Sequence, residues 1–200
     1  MTGALRDTVA RAACALLAAW LLADGASAQE TWGLAELMRA LSAVSHAQAR
    51  FVERRYLQVL KQPLELSGTL SYTAPGRLVK HTLAPRAERM TVEADRLVIE
   101  DLVKGRSRSL SLQDYPVLWA FIDSFRATLQ GDQAALERFY RPQLEGDRAR
   151  WTLSLQPRER RMRSMVSVIR ISGSADRLTG VEIEETRGDR SVMTVVEDPS

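Results

Sequence analysis

Two histidines, His46 and His81, are the side chains best suited to move protons at neutral pH. A serine hydrolase would place one of them beside an activated serine, but the sequence has no Gly-x-Ser-x-Gly elbow and no glycine-rich oxyanion loop. It also has no His-Glu-x-x-His pattern for a metal. We therefore predict neither a metal nor a cofactor and no enzyme, and an esterase that uses His81 is the catalytic alternative.

Lys80 has the chemistry to hold an anion. Alternation along its strand places Lys80 on the same face as Leu78, where its ammonium group could meet a phosphate or carboxylate headgroup. In the alternative interpretation, the lysine extends along apolar surface and keeps its charge in water. The densest basic run, residues 158–163, is either a docking site for an acidic transporter domain or anionic lipid, or a solvated strand connection.

The single cysteine, Cys14, lies in an N-terminal targeting segment. Arg6 and Arg11 precede an apolar run over residues 12–23, and Ala26-Ser27-Ala28 follows it. This order is typical of a secretory signal peptide, and the run is shorter than the roughly 20 apolar residues that span a membrane. We predict cleavage after Ala28, leaving residues 29–200 as one exported domain without a thiol.

The charge of the chain excludes one class of partner. The formal net charge is +3, and acidic and basic side chains alternate along the sequence. Such a mild balance does not indicate a nucleic-acid-binding protein. We predict a monomer that binds no nucleic acid.

Hydrophobic spacing predicts the elements that position these residues. Thr31 is predicted to cap a first helix and Asp114 a second that ends near Gly131, and a shorter helix follows Asp132. Alternating segments separated by turn residues predict about ten antiparallel strands. These segments lie near 48–60, 63–73, 77–84, 87–93, 96–101, 103–112, 151–155, 166–171, 181–183 and 192–196.

So many twisted strands in one domain are expected to curl into a barrel or half-barrel. The apolar face of residues 64–72 would then line the inside, together with a helix stripe. Composition leaves open whether the inside is a packed core with the helix as a plug or a pocket with the helix as a lid. The helix stripe consists of Leu118, Phe121, Ile122 and Phe125.

Several short motifs occur in a characteristic order behind the signal peptide. They are Phe51, Gly68-Thr69-Leu70-Ser71-Tyr72 with Pro75, Leu78, Pro85, Leu97-Val98-Ile99-Glu100, Trp151-Thr152-Leu153-Ser154-Leu155-Gln156-Pro157 and Gly188-Asp189. In this order the chain resembles the periplasmic outer-membrane lipoprotein carriers, the LolA-like family.

The resemblance implies an unclosed antiparallel half-barrel of 10–11 strands with a helical lid over a hydrophobic cavity. It also implies a periplasmic carrier that takes acyl chains of lipoproteins, or another acylated lipid, from an inner-membrane transporter to an outer-membrane acceptor. The implied cavity residues are Phe51, Leu64, Leu66, Leu70, Tyr72, Leu78, Met90, Leu97, Trp151 and Leu153. Strand alternation adds Lys80 as a possible headgroup contact.

Two departures favour a LolA-related paralogue with a different acylated cargo. The chain has Ala74 where the lipoprotein carriers proper have an arginine thought to tether the lid, and it ends at Ser200, short of their C-terminal extension. The alternative from another class is a periplasmic regulatory domain that senses a lipid or a lipoprotein.

Overall fold

The computed structural model describes residues 32–197, except the side chains of residues 116–118, 120, 121, 124 and 197. The predicted signal peptide, residues 1–28, and the predicted cap Thr31 lie outside the described residues. Within the described residues, no helix has the length and apolarity needed to cross a bilayer.

Residues 32–197 form four α-helices, and the first three lie where the sequence has 3.6-residue spacing. The first helix buries Leu37, Met38 and Leu41 on one face, and the Glu36 carboxylate accepts a hydrogen bond from the Gly33 N–H at 3.1 Å at its start. The helices are α1 (Leu34–Ser42), α2 (Pro116–Gln130), α3 (Gln133–Phe139) and α4 (Arg160–Arg163), and a 3-10 turn (Leu112–Asp114) precedes α2.

The ends of α2 differ in how well the sequence predicts them. Asp114 lies in the 3-10 turn, so it does not cap α2, which begins at Pro116. Gly131 ends the helix in the left-handed conformation with φ 68°. A Cβ at this position would lie 2.0 Å from the Met38 carbonyl oxygen, so a glycine is needed for α2 to meet α1.

Eleven antiparallel strands form one sheet in the order β6-β5-β4-β3-β2-β1-β11-β10-β9-β8-β7. Because β6 and β7 form the two edges, the sheet is not closed, and the predicted half-barrel is confirmed. The strands are β1 (His46–Tyr56), β2 (Leu64–Thr73), β3 (Arg77–Ala84), β4 (Glu88–Glu93), β5 (Arg96–Asp101), β6 (Arg106–Ser111), β7 (Tyr140–Gly146), β8 (Trp151–Pro157), β9 (Val166–Ser174), β10 (Arg177–Glu185) and β11 (Arg190–Glu197).

Strand β7 is the strand that the sequence pattern does not predict. It begins at Tyr140 and contains Pro142, which cannot donate a ladder hydrogen bond. A proline is tolerated here because β7 has a partner, β8, on one side and forms a sheet edge on the other.

Two separate hydrophobic clusters pack against the sheet. The larger joins α1 and α3 to β8 and β9 and contains the fully buried Trp151, Leu153 and Ile171. The smaller contains Val92, Leu97, Leu112 and Ile122 at the other end of the sheet. The middle strands therefore lie between two packed regions.

Gly173 provides a test of the larger cluster. A Cβ at this position would lie 2.2 Å from the indole of Trp151, so we expect Gly173→Ala to lower the free energy of unfolding by ~1–3 kcal/mol. Gly180→Ala is the matched control, because its nearest neighbour would lie at 3.4 Å. Denaturant unfolding of both variants measures the difference, and equal stabilities would contradict the packing described.

Candidate functional site

A cavity of about 780 Å³ lies against the middle strands of the sheet and α2. Its walls come from β1–β4, β10 and β11, with Ile122 and Phe125 contributed by α2. On β1 the wall contains Ala47 and Ala49. These short side chains explain why the middle of the sheet leaves space where large aliphatic side chains would fill it.

Four of the ten predicted cavity residues line this space: Leu70, Tyr72, Leu78 and Met90. They lie on β2, β3 and β4, and Leu70 is paired in register with Ala49. Of the predicted lid stripe, Ile122 and Phe125 also line the cavity. The side chains of Leu118 and Phe121 lie outside the described residues.

Three other predicted residues lie in packed core. Trp151 and Leu153 are fully buried in the larger cluster, and the Trp151 indole N–H donates to the Ala175 carbonyl at 3.0 Å. Leu97 is buried in the smaller cluster. The resemblance implied these three as cavity residues, and in the structure helices cover the face of the sheet on which they lie.

The remaining three lie toward the end of the sheet where β1 and β2 are joined. Phe51 is buried and has the Lys80 ammonium 4.8 Å from its ring centroid, so a cation covers it. Leu66 lies opposite Glu53 on β1, and Leu64, the first residue of β2, is exposed. None of these three is among the residues that line the cavity.

A buried charged cluster in the cavity wall was missed by the sequence analysis. Glu53, which is only 3% exposed, accepts hydrogen bonds from Arg55 at 2.7 Å and from the Ser191 hydroxyl at 2.8 Å, and it forms an ion pair with Lys80. All four residues line the cavity. The signal was present in β1, because Glu53 and Arg55 alternate with Phe51 on the inward face.

The cluster keeps Glu53 ionised. Burial alone would raise the pKa of the Glu53 carboxyl, but the hydrogen bonds from Arg55, Lys80 and Ser191 and the charge of Lys80 outweigh it and lower the pKa from 4.5 to about 2. With two cations around one carboxylate, this part of the wall has a net charge of +1.

Helix α2 is attached to two turns of the sheet. The guanidinium of Arg126 donates to the Ala94 carbonyl at 2.7 Å, and Gln130 donates to the Pro75 carbonyl. Gly76 leaves room for both side chains, because a Cβ there would lie 2.6 Å from each. The side chains that attach α2 to the sheet therefore belong to the helix. In the lipoprotein carriers proper, the attaching arginine is expected on the sheet, at the position of Ala74.

The two histidines are not positioned as a catalytic pair. His46 lines the cavity, with its Nδ1 3.1 Å from the Ser45 hydroxyl. His81 lies on β3 one residue after Lys80, and it does not line the cavity. The esterase alternative that relies on His81 therefore lacks a site next to the space.

An unclosed sheet around an apolar cavity with an attached helix is the architecture that the resemblance implied. The family model described as "Outer membrane lipoprotein carrier protein LolA-like" matches residues 25–196. The chain belongs to the LolA-like family. Members of this family are carriers or binding proteins that typically bind lipids or lipoproteins. No curated protein matches the LolA-like chain by sequence.

Solved structures similar to this LolA-like protein are distant. A LolA superfamily protein from Nitrosomonas europaea is 11% identical with a TM-score of 0.42, covering 82% of this chain and 93% of its own. An uncharacterized conserved protein from Thermus thermophilus is 11% identical with a TM-score of 0.49, covering 81% and 83%. LprF from Mycobacterium bovis is 11% identical with a TM-score of 0.35, covering 85% and 96%. At these scores the likenesses add nothing about function.

The charged cluster predicts a specific pH dependence of stability. A carboxyl whose pKa falls on folding stabilises the protein above its unfolded value of 4.5 and loses that contribution as pH falls toward 2. We expect Glu53→Gln to lower the free energy of unfolding at pH 7 by up to ~3 kcal/mol. We also expect the two proteins to converge in stability as the pH falls toward 2.

Chemical unfolding between pH 7 and pH 2 measures this convergence. Glu65→Gln is the control, since Glu65 forms an ion pair with Arg54 that is exposed to water. A Glu53→Gln deficit that is independent of pH would contradict the ionised cluster.

Proposed function

We propose that this LolA-like protein is a periplasmic carrier that binds the acyl chains of a lipoprotein or another acylated lipid in the 780 Å³ cavity. The observation that carries the proposal is this apolar space between two packed clusters. The protein accepts its cargo from an inner-membrane transporter and delivers the cargo to an outer-membrane acceptor. The N-terminal segment with its Ala26-Ser27-Ala28 site directs it to the periplasm.

Apolar sequestration supplies enough free energy for binding without a cofactor. Each methylene group removed from water contributes ~0.8 kcal/mol, so a long acyl chain offers more than a carrier needs. The proposed wall is formed by Leu70, Tyr72, Leu78 and Met90, with aliphatic side chains of β10 and β11 opposite. Specificity for the chain is low because a wall of this kind recognises apolar surface and not a pattern of hydrogen bonds.

The charged cluster supports a headgroup contact at one end of the cavity. Lys80 and Arg55 both line the space, and their two positive charges exceed the single charge of Glu53. Their remaining N–H groups suit a phosphate or carboxylate oxygen. The cargo is therefore an acyl chain with an anionic group, and Lys80 is its proposed contact.

Release requires that α2 compete with the cargo. Ile122 of α2 packs in the smaller cluster and also faces the cavity, so opening the helix exposes apolar surface that cargo can cover. The bound and empty states then differ in free energy by less than the burial of the acyl chain alone would give. Such a balance lets the carrier pass its cargo on.

Acyl binding is tested with a fluorescent fatty-acyl probe on delipidated protein. We expect a stoichiometry near one, and we expect Leu70→Glu and Leu78→Glu to abolish binding, because each places a charge in the apolar wall. The control is Val52→Glu, an exposed β1 position outside the cavity wall. Circular dichroism confirms that each variant is folded, and unchanged binding in both cavity variants would overturn the proposal.

The attachment of α2 is tested by the rate at which the probe leaves. Arg126→Ala removes the bond to the Ala94 carbonyl, worth ~0.5–1.5 kcal/mol, so we expect release to accelerate by up to about tenfold. Arg138→Ala on α3 is the matched control, because Arg138 stacks on Phe139. Stopped-flow dissociation measures both, and a release rate equal to the wild type would show that α2 does not control exit.

A further inference from the structure

At one end of the strands, the sheet has an unusual surface, which we call the rim. It comprises five connections between strands: residues 57–63, 85–87, 102–105, 158–165 and 186–189. The pairing of Tyr56 with Arg190 and of Glu88 with Asp101 places these connections at the same end of the strands. In a curved sheet, the strand ends form an arc, and the turns along this arc can all contact one flat surface.

Exposed apolar side chains concentrate on the rim. Of eleven large hydrophobic residues exposed in the described part of the chain, five lie in the rim and three at strand residues that adjoin it. Val59 is 89% exposed and Val103 69% exposed, so the solvent contact is substantial. The eight are Val59, Leu60, Leu102, Val103 and Met165 in the rim, with Tyr56, Leu64 and Leu83 beside it.

The rim is also strongly basic. Its five connections contain eight basic and two acidic side chains, a net charge of +6 on a chain whose total is +3. Asp101 beside the rim pairs with Arg86 and neutralises one of these charges. The opposite ends of the strands provide the contrast. The turns there, 74–76, 94–95, 147–150 and 175–176, hold no large apolar residue and have a net charge of −1.

Two rim turns repeat the same chemistry. Val59-Leu60-Lys61 and Leu102-Val103-Lys104 each place two aliphatic side chains before a lysine at the tip of a hairpin. Met165, two residues after the basic helix α4, adds a third site with one exposed apolar side chain. Each of these sites pairs a short apolar anchor with a cation.

We propose that the rim docks on the surface of a bilayer that contains anionic lipids. The aliphatic tips enter the boundary between headgroups and acyl chains, and the neighbouring lysines and arginines contact lipid phosphates. A bilayer fits better than a protein partner, because the anchors are spread over separate turns and a bilayer offers apolar depth and negative charge at every point of its surface. A protein would need a matching pocket for each turn.

The docked orientation brings the headgroup end of the cavity toward the membrane. Arg55 lines the cavity and directly precedes Tyr56 beside the rim. Ser191 of the charged cluster follows Arg190, which adjoins the rim. That docking serves cargo exchange rests on the proposed function, whereas the docking itself does not.

The proposal is tested by co-sedimentation of vesicles with the predicted mature protein, which consists of residues 29–200. We expect binding to phosphatidylcholine vesicles that contain phosphatidylglycerol and much weaker binding to phosphatidylcholine alone. The double variant Val59→Asp, Val103→Asp should reduce binding at least ~10-fold, because it removes both apolar anchors and adds repulsive charge. Lys61→Gln with Lys104→Gln, which removes only charge, should reduce it by a smaller factor and flatten its salt dependence.

Val196→Asp is the matched control, since Val196 is 54% exposed on β11 away from the rim. Wild-type protein that ignores anionic vesicles, or a Val196→Asp variant that loses as much binding as the double variant, overturns the proposal. Binding that depends on the lysines but not on Val59 and Val103 also overturns it, because charge attraction without apolar insertion would then account for the binding.

The acyl-probe assay separates this proposal from the proposed function. Rim variants should keep probe binding, and Leu70→Glu should keep vesicle binding. Wild-type protein that binds the probe but not anionic vesicles contradicts only the docking, and wild-type protein that binds the vesicles but not the probe contradicts only the proposed function.

Discussion

An antiparallel sheet of this width has to cover its concave face, and the middle strands leave that face uncovered. At one end, α1 and α3 pack on β8 and β9, and at the other the smaller cluster around Leu97 and Ile122 is closed by α2. Between them β1 presents Ala47 and Ala49, which are too short to reach across. The space, the attachment of α2 and the proposed exchange of cargo all depend on this gap in packing.

The charged cluster shows how the wall of an apolar cavity can include ionised side chains while the folded protein stays stable. Glu53 is buried, and the free energy lost by removing it from water is recovered by bonds from Arg55, Lys80 and Ser191. Because the three donors come from β1, β3 and β11, the cluster also connects three strands that line the cavity. One set of contacts therefore supports the cavity wall and gives the cavity a positive end.

Local patterns predicted the elements well and their coverage poorly. Alternation and turn residues identified the strands of the meander, and Gly131 marked the end of α2 because its conformation favours glycine. The pattern missed β7, because Pro142 at a sheet edge breaks the usual strand composition. The resemblance implied Trp151 as a cavity residue, whereas α1 and α3 pack over it. No period in β8 encodes which helix lies above the strand. Two partners of Glu53, Lys80 and Ser191, are also distant in sequence, so only the register of the strands reveals that they meet.

The free edges of β6 and β7 have a mechanical consequence. In a closed barrel, a wider lumen requires breaking the hydrogen bonds of a strand pair or shifting their register. In this protein the seam is bridged by helices, so a change in sheet curvature can enlarge the lumen while every strand ladder stays intact. The volume of the cavity therefore depends on side-chain contacts of the helices as well as on the backbone of the sheet.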